Sequence, residues 1–356
     1  MFTRRKFQIT MGLTLVLAML ISVTAASAQE AALGGNVTVR DGAGSAVGSN
    51  NSVVIALTGV PSAGAGMTYE GWLISSSGDK VSVGTFNGPS IDATWVSPTN
   101  ENLAAKYGQF ALSSEITPDP DPATPGAIVY SGTTTVGVLI PFLGLLSNSS
   151  VTATGNDEDL GEGIIGVATA LRGQTAVMVA HSNLADGSDT LGEKQTHVQH
   201  VINAVDGLGG PGDDVGVLAY ADEAKTLAAQ AKAGDPTNAA VTAAADALIT
   251  AADRTIDRAN LTKSNANSVI GASSDNLIAQ VALANVVGLS AQTNDSAKDT
   301  YLAAQDLGAF VLEAGAGVAP PSAGDELVPL LALIVLVAGM VFTGGGVAML
   351  RRRSIA

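Results

Sequence analysis

The 356-residue chain carries 17 Lys and Arg against 32 Asp and Glu and contains no cysteine, which excludes disulfides, thiol catalysis and zinc–thiolate sites. Six of the basic residues (Arg4, Arg5, Lys6, Arg351, Arg352, Arg353) lie at the two ends, and no acidic residue precedes Glu30 or follows Glu326. The stretch between therefore sets 11 basic against 32 acidic residues, a net of −21, which opposes binding to nucleic acid or to anionic lipid headgroups.

The first element follows from the basic flank. Arg4, Arg5 and Lys6 precede the apolar run Met11 to Val23, and Ala26, Ser27 and Ala28 supply the small residues of a cleavage site before Gln29. That is the pattern of a secretory signal peptide, assigned to residues 1–28. From residue 35 to 135 come both tryptophans and short alternating stretches bounded by Gly, Ser, Asn and Pro. Strands are predicted at Asn36–Arg40, Ser52–Gly59, Met67–Ser75, Lys80–Phe86, Ile91–Val96, Gln109–Ile116 and Ala127–Thr133. Seven turn-separated strands predict an immunoglobulin-like antiparallel β-sandwich. Alternation along the third strand puts Tyr69, Gly71 and Leu73 on one face and Trp72 and Ile74 on the other. The Pro-rich link Pro118 to Pro125 must loop around an edge.

Two stretches in this region carry a family resemblance. TYEGWLISSSGDKVSVGTF, Thr68 to Phe86, resembles the extracytoplasmic domain of the anti-sigma-K factor family, in which an aromatic residue, a tryptophan, a glycine turn and a V-G-T-F strand recur in this order. FALSSEI (Phe110 to Ile116) and ATPGAIV (Ala123 to Val129) are similar to that family's closing strands. The resemblance spans about residues 35–135 and implies a sandwich fold and an extracytoplasmic setting. It does not imply control of a sigma factor, because a signal peptide stands where the cytoplasmic sigma-binding segment would be.

Beyond the sandwich, residues 136–156 read as a hinge. Its apolar part, Val136 to Leu146, is too short to span a bilayer and is interrupted by Pro141. Residues 157–314 are alanine-rich with helical periodicity and predict a bundle of six helices. Their bounds are Asp157–Ala185, Thr190–Val205, Val215–Ala233, Thr237–Ser264, Ser274–Leu289 and Asp295–Ala314. In the fourth, Val241, Leu248 and Thr255 repeat every seven residues, as do Ala245, Ala252 and Ala259, giving one stripe of small and apolar side chains. Ala303, Leu307, Phe310 and Ala314 form a similar stripe in the sixth. Pro211 with its flanking glycines separates the second helix from the third, and Asp235–Pro236 the third from the fourth.

All three histidines of the chain sit in the first helical hairpin. Glu193, His197 and His200 fall within about 60° of one another at about 100° per residue. Antiparallel pairing around the turn at Asp186 to Asp189 brings His181 toward His197. His181, His197, His200 and Glu193 are thus a candidate metal set suited to zinc or copper rather than calcium; hydrogen bonding of the imidazoles to neighbours or solvent is the alternative.

Other patterns carry less. Asp157, Glu158, Asp159 and Glu162 lack the spacing of an EF-hand and suit a helix start. The glycine loop at 206–214 lacks the lysine of a phosphate-binding loop and holds aspartates that repel phosphate. No G-x-S-x-G element is present. Residues 315–326 form a small-residue stalk. The uncharged run Leu327 to Leu350 would span roughly 36 Å as a helix and ends in three arginines, so residues 327–350 read as a transmembrane anchor and 351–356 as a cytoplasmic tail. Pro321, Ala323 and Gly324, just before the anchor, are similar to a sortase sorting signal but lack its leucine and threonine.

These elements predict a single-pass protein of the bacterial plasma membrane, with sandwich and bundle outside the cell. The role assigned is non-enzymatic recognition or sensing of an unknown protein or small ligand, with no assured cofactor. Metal or small-ligand binding by the bundle, and a sortase-processed wall protein, are the alternatives.

Overall fold

Side chains that alternate along extended backbone build the first sheet. Val53, Ile55 and Leu57 in β2 (Ser52–Thr58) are at most 1% exposed, while the alternate residues Ala56 and Thr58 face outward. The computed structural model describes residues 33–45, 47–146, 166–209 and 215–314. Within it β2 is flanked by β1 (Gly34–Arg40), with Val37 opposite Ile55, and by β5 (Ser90–Val96), with Ala93 opposite Ile55. A second antiparallel sheet contains β3 (Met67–Ser75), β4 (Lys80–Phe86), β6 (Tyr107–Ile116), β7 (Ala127–Thr133) and β8 (Glu313–Ala314), in the order β4-β3-β6-β7-β8.

The two faces of β3 divide as the alternation predicts. Tyr69 and Leu73 join the main core with Val37, Ile55, Phe110 and Leu112. Trp72 and Ile74 lie on the opposite face in a separate cluster with Ala111. The indole is 2% exposed, and its Nε1 donates to Ser113 Oγ at 2.9 Å, so its one polar atom is satisfied although buried.

Among the described residues seven helices follow or interrupt the strands. They are α1 (Leu103–Lys106), α2 (Val136–Leu146), α3 (Val167–Asp186), α4 (Leu191–Asp206), α5 (Gly216–Gly234), α6 (Ala239–Ile270) and α7 (Leu277–Leu307). The seven-residue stripes of α6 extend further than the sequence alone indicated. Val241, Leu248, Thr255, Thr262 and Val269 are buried, as are Ala245, Ala252, Ala259 and Ala266. Small side chains on this seam let the neighbouring helices approach closely. The buried hydroxyls of Thr255 and Thr262 are satisfied within the helix: they donate to the carbonyls of Ala251 and Arg258, at 2.9 and 2.8 Å.

Three expectations are corrected. The segment read as a hinge forms α2 over 136–146 and buries Val138, Pro141, Phe142, Leu145 and Leu146. Burial of this apolar turn outweighs the backbone bond that Pro141 removes, and contact between the backbones of Gly137 and Gly234 admits α2 against α5. The last two helices are one, because residues 290–294, left between their expected bounds, lie inside α7: Ser290 and Thr293 are fully buried, and Thr293 donates to the Leu289 carbonyl at 2.7 Å. That helix ends at Leu307 rather than Ala314. Gly308 caps it where a Cβ would strike the Phe142 ring, and Phe310 then pairs as extended backbone with Val37.

The chain's return from α7 joins bundle and sheets. Phe310 N donates to the Val37 carbonyl at 2.7 Å, the Phe310 carbonyl accepts from Val37 N at 3.1 Å, and the Phe310 ring lies 6.4 Å from that of Phe110. Glu313 and Ala314 add an edge strand to β7. On α7, the Tyr301 hydroxyl donates to Asp41 Oδ2 at 2.7 Å and accepts from Gly48 N at 2.8 Å, and Asp306 pairs with Arg40. Sheets and helices share one apolar core, and the described residues fall in one compact unit. The boundary near residue 135 is a change of secondary structure inside that unit.

Residues 1–28, 147–165, 315–326, 327–350 and 351–356, and with them the expected signal peptide, the acidic start of the first bundle helix, stalk, anchor and tail, lie outside the described residues. Among the described residues no helix is long and apolar enough to cross a membrane.

Replacing Trp72 with alanine deletes a buried ring whose indole hydrogen bond is also lost, and is expected to cost about 3–5 kcal/mol. Urea denaturation of the two proteins measures it, and an unchanged midpoint would place the ring outside any packed cluster.

Candidate metal centre

The hairpin α3–α4 is fixed by local chemistry before any histidine is considered. Gly187 ends α3, and the chain turns through Ser188 and Asp189 to Thr190, the N-cap of α4. Thr190 Oγ1 accepts from Glu193 N at 3.3 Å, while Glu193 Oε2 accepts from Thr190 N at 3.2 Å, a reciprocal capping box. Val198, Val201, Ile202 and Val205 bury the inner face of α4.

A second face of α4 is tied to the helical hairpin α6–α7. Gln195 Nε2 donates to the carbonyls of Val269, Ile270 and Ala272, at 3.1, 3.0 and 2.9 Å, and so covers the C-terminal carbonyls of α6. Lys194 Nζ meets Asp275 Oδ2 at 2.7 Å. His197 and His200 point away from Gln195, one turn apart, and face His181 of α3.

The three rings converge through the same atom type. His181 Nδ1 lies 3.3 Å from His197 Nδ1 and 3.3 Å from His200 Nδ1, and the ring centroids are 4.7 to 6.0 Å apart. A ring nitrogen offers either one in-plane N–H or one in-plane lone pair, so His181 Nδ1 cannot satisfy both neighbours at once. Burial, followed by the neighbouring imidazoles His200 and His197, pushes His181 down to about 4; burial and then His197 lower His200 as well. His181 is thus neutral at neutral pH, the form that offers lone pairs, and His200 is shifted in the same direction.

His181, His197 and His200 are the one group of metal-ligating side chains that comes together among the described residues, with ligand atoms within 4.8 Å of one another. Glu193 is not part of it. Its carboxylate is turned to Thr190, whose hydroxyl and backbone N–H hold it below the usual carboxylate range, with His197 a smaller influence. Pro321, Ala323 and Gly324 lie outside the described residues.

A second constellation was not foreseen. On the outer face of the larger sheet, Glu70 accepts from Ser82 Oγ, and Glu115 accepts from Ser113 Oγ and from Gly126 N, the latter at 2.7 Å. Both glutamates are at most 6% exposed. Burial pushes the Glu70 carboxyl up against the opposing Ser82 hydrogen bond, and Glu115 and Asp119 add to the rise. The alternation E-x-W-x-I in β3 already placed Glu70 on the face of Trp72.

Residues 13–127 match the family described as anti-sigma-K factor rskA, C-terminal. The match begins within the apolar N-terminal run, takes in β1 to β6 and ends at the first residue of β7, so the chain resembles that family over this span and α2 to α7 lie beyond it. No curated protein and no solved structure matches the chain.

Two predictions follow from this geometry. Thr190→Ala removes one half of the capping box and is expected to lower stability by about 1 kcal/mol, read by thermal unfolding. Glu70→Gln removes a carboxylate whose folded-state pKa stands above its unfolded value of about 4.5. The wild-type chain therefore loses stability relative to this variant as pH rises through that window. The variant should melt higher at pH 7 and show no such advantage at pH 3; an equal difference at both pH values would contradict the assignment.

Proposed function

We propose that the chain is a non-enzymatic regulatory protein held in the bacterial cytoplasmic membrane, whose sandwich and bundle recognise a partner on the outer side. The observation that carries this reading is the match of residues 13–127 to an anti-sigma factor family, by its description a family of regulators. The match concerns the C-terminal part of such a factor and not the whole of one. The sheet order supports an immunoglobulin-like sandwich, since β1-β2-β5 faces β4-β3-β6-β7, a two-sheet arrangement common in cell-surface recognition domains.

Location rests on the sequence. The basic flank, apolar run and small-residue site of residues 1–28 support export, and the uncharged run 327–350 followed by three arginines supports one span with its C-terminus inside. The body between is strongly acidic, which keeps it soluble and selects against anionic surfaces. A partner for it is a protein or small ligand outside the cell.

Mass spectrometry of the protein recovered from membranes tests the arrangement. The mature chain is expected to begin at Gln29 and to retain Leu327 to Ala356, with the body open to protease added to spheroplasts. Recovery from the cytosol with residues 1–28 intact would overturn the proposal, and truncation near Ala323 would replace the anchor with a sortase-processed wall attachment.

A further inference from the structure

We propose that His181, His197 and His200 form a three-histidine centre for a divalent transition-metal ion of the zinc or copper class. The spacing carries the inference. A tetrahedral ion with metal–nitrogen bonds of about 2.0–2.1 Å holds its ligand nitrogens about 3.3 Å apart. His181 Nδ1 stands 3.3 Å from each of the other two Nδ1 atoms. A hydrogen-bonded trio is poorly served by this arrangement, because the single N–H or lone pair of His181 Nδ1 makes one linear bond and not two. A cation placed among the three nitrogens accepts a lone pair from each.

The donor set and its support narrow the ion. Three imidazole nitrogens suit zinc, copper or nickel and not the oxygen-seeking calcium or magnesium. Each ligand rides on a rigid helix: His197 and His200 share α4, which Gln195 and Lys194 anchor to the α6–α7 hairpin, and His181 lies on the facing surface of α3. Glu193 is committed to its helix cap, and the rings are partly exposed. The fourth position therefore belongs to water or to a donor atom brought by a partner.

The full chain, purified in detergent without a polyhistidine tag and stripped with chelator, is titrated with zinc by calorimetry and with cobalt(II) by visible absorption. One ion per chain is expected, with the d–d bands of a four-coordinate cobalt site. His181→Gln, His197→Gln and His200→Gln should each weaken binding by more than the about 10–100-fold that loss of an outer-shell partner costs. Glu193→Gln, which preserves the capping box, should bind as the wild type does. These histidines are the only three in the chain, so zinc should also shield every imidazole of the wild-type protein from carbethoxylation. That readout needs no variant to fold. Absence of a stoichiometric ion, unshielded imidazoles in the presence of zinc, or equal affinity in the histidine variants would overturn the proposal. A loss in Glu193→Gln as large as in the histidine variants would overturn the three-ligand set.

Discussion

The return of the chain from α7 onto the sheets is the contact on which the rest depends. A bundle made of alanine, serine and threonine buries little apolar area per residue, and no disulfide is available to reinforce it. Its long helices gain a fixed end because Gly308 lets the backbone pass Phe142 and Phe310 then exchanges two hydrogen bonds with Val37. Tyr301, Asp41 and Gly48 add a buried polar link, and Arg40 with Asp306 a charged one at the surface. Burial and the Asp41 carboxylate push the Tyr301 phenol up, so it remains a neutral donor.

With that end fixed, the helical part becomes a scaffold whose geometry is set far from the histidines. The α6–α7 hairpin holds α4 through Gln195 and Lys194, and α4 in turn presents His197 and His200 to α3. The convergence of the three rings is therefore a property of helix packing, with little contribution from the rings themselves. The depressed proton affinity of His181 and His200 follows from the same partial burial that brings the rings together.

Much of this was legible in the sequence. Strands at Met67–Ser75, Lys80–Phe86 and Ala127–Thr133 coincide with the structure because period-two patterning and turn residues act locally. The histidine pair on α4 was legible because helical spacing fixes i and i+3 neighbours. Glu193 shows a local signal misread: the same spacing that put it near His197 is also the T-x-x-E signature of a capping box, and the cap takes the carboxylate. The continuity of α7 was hidden because residues 290–294 are largely polar and break the apolar stripe, whereas in the helix Ser290 and Thr293 are buried and the Thr293 hydroxyl finds the carbonyl four residues back. Asp41 with Tyr301 and Arg40 with Asp306 are separated by 260 and 266 residues, and no local pattern announces such a partnership.

That separation also orders events in time. During synthesis the ribosome delivers β1 long before it delivers Phe310, so the free margin of the first sheet must wait while every intervening helix is made. Unpaired strand margins invite association with other chains, and non-local closure is slow. The interval between those two moments is when a nascent copy is most exposed to pairing with its neighbour instead of with itself.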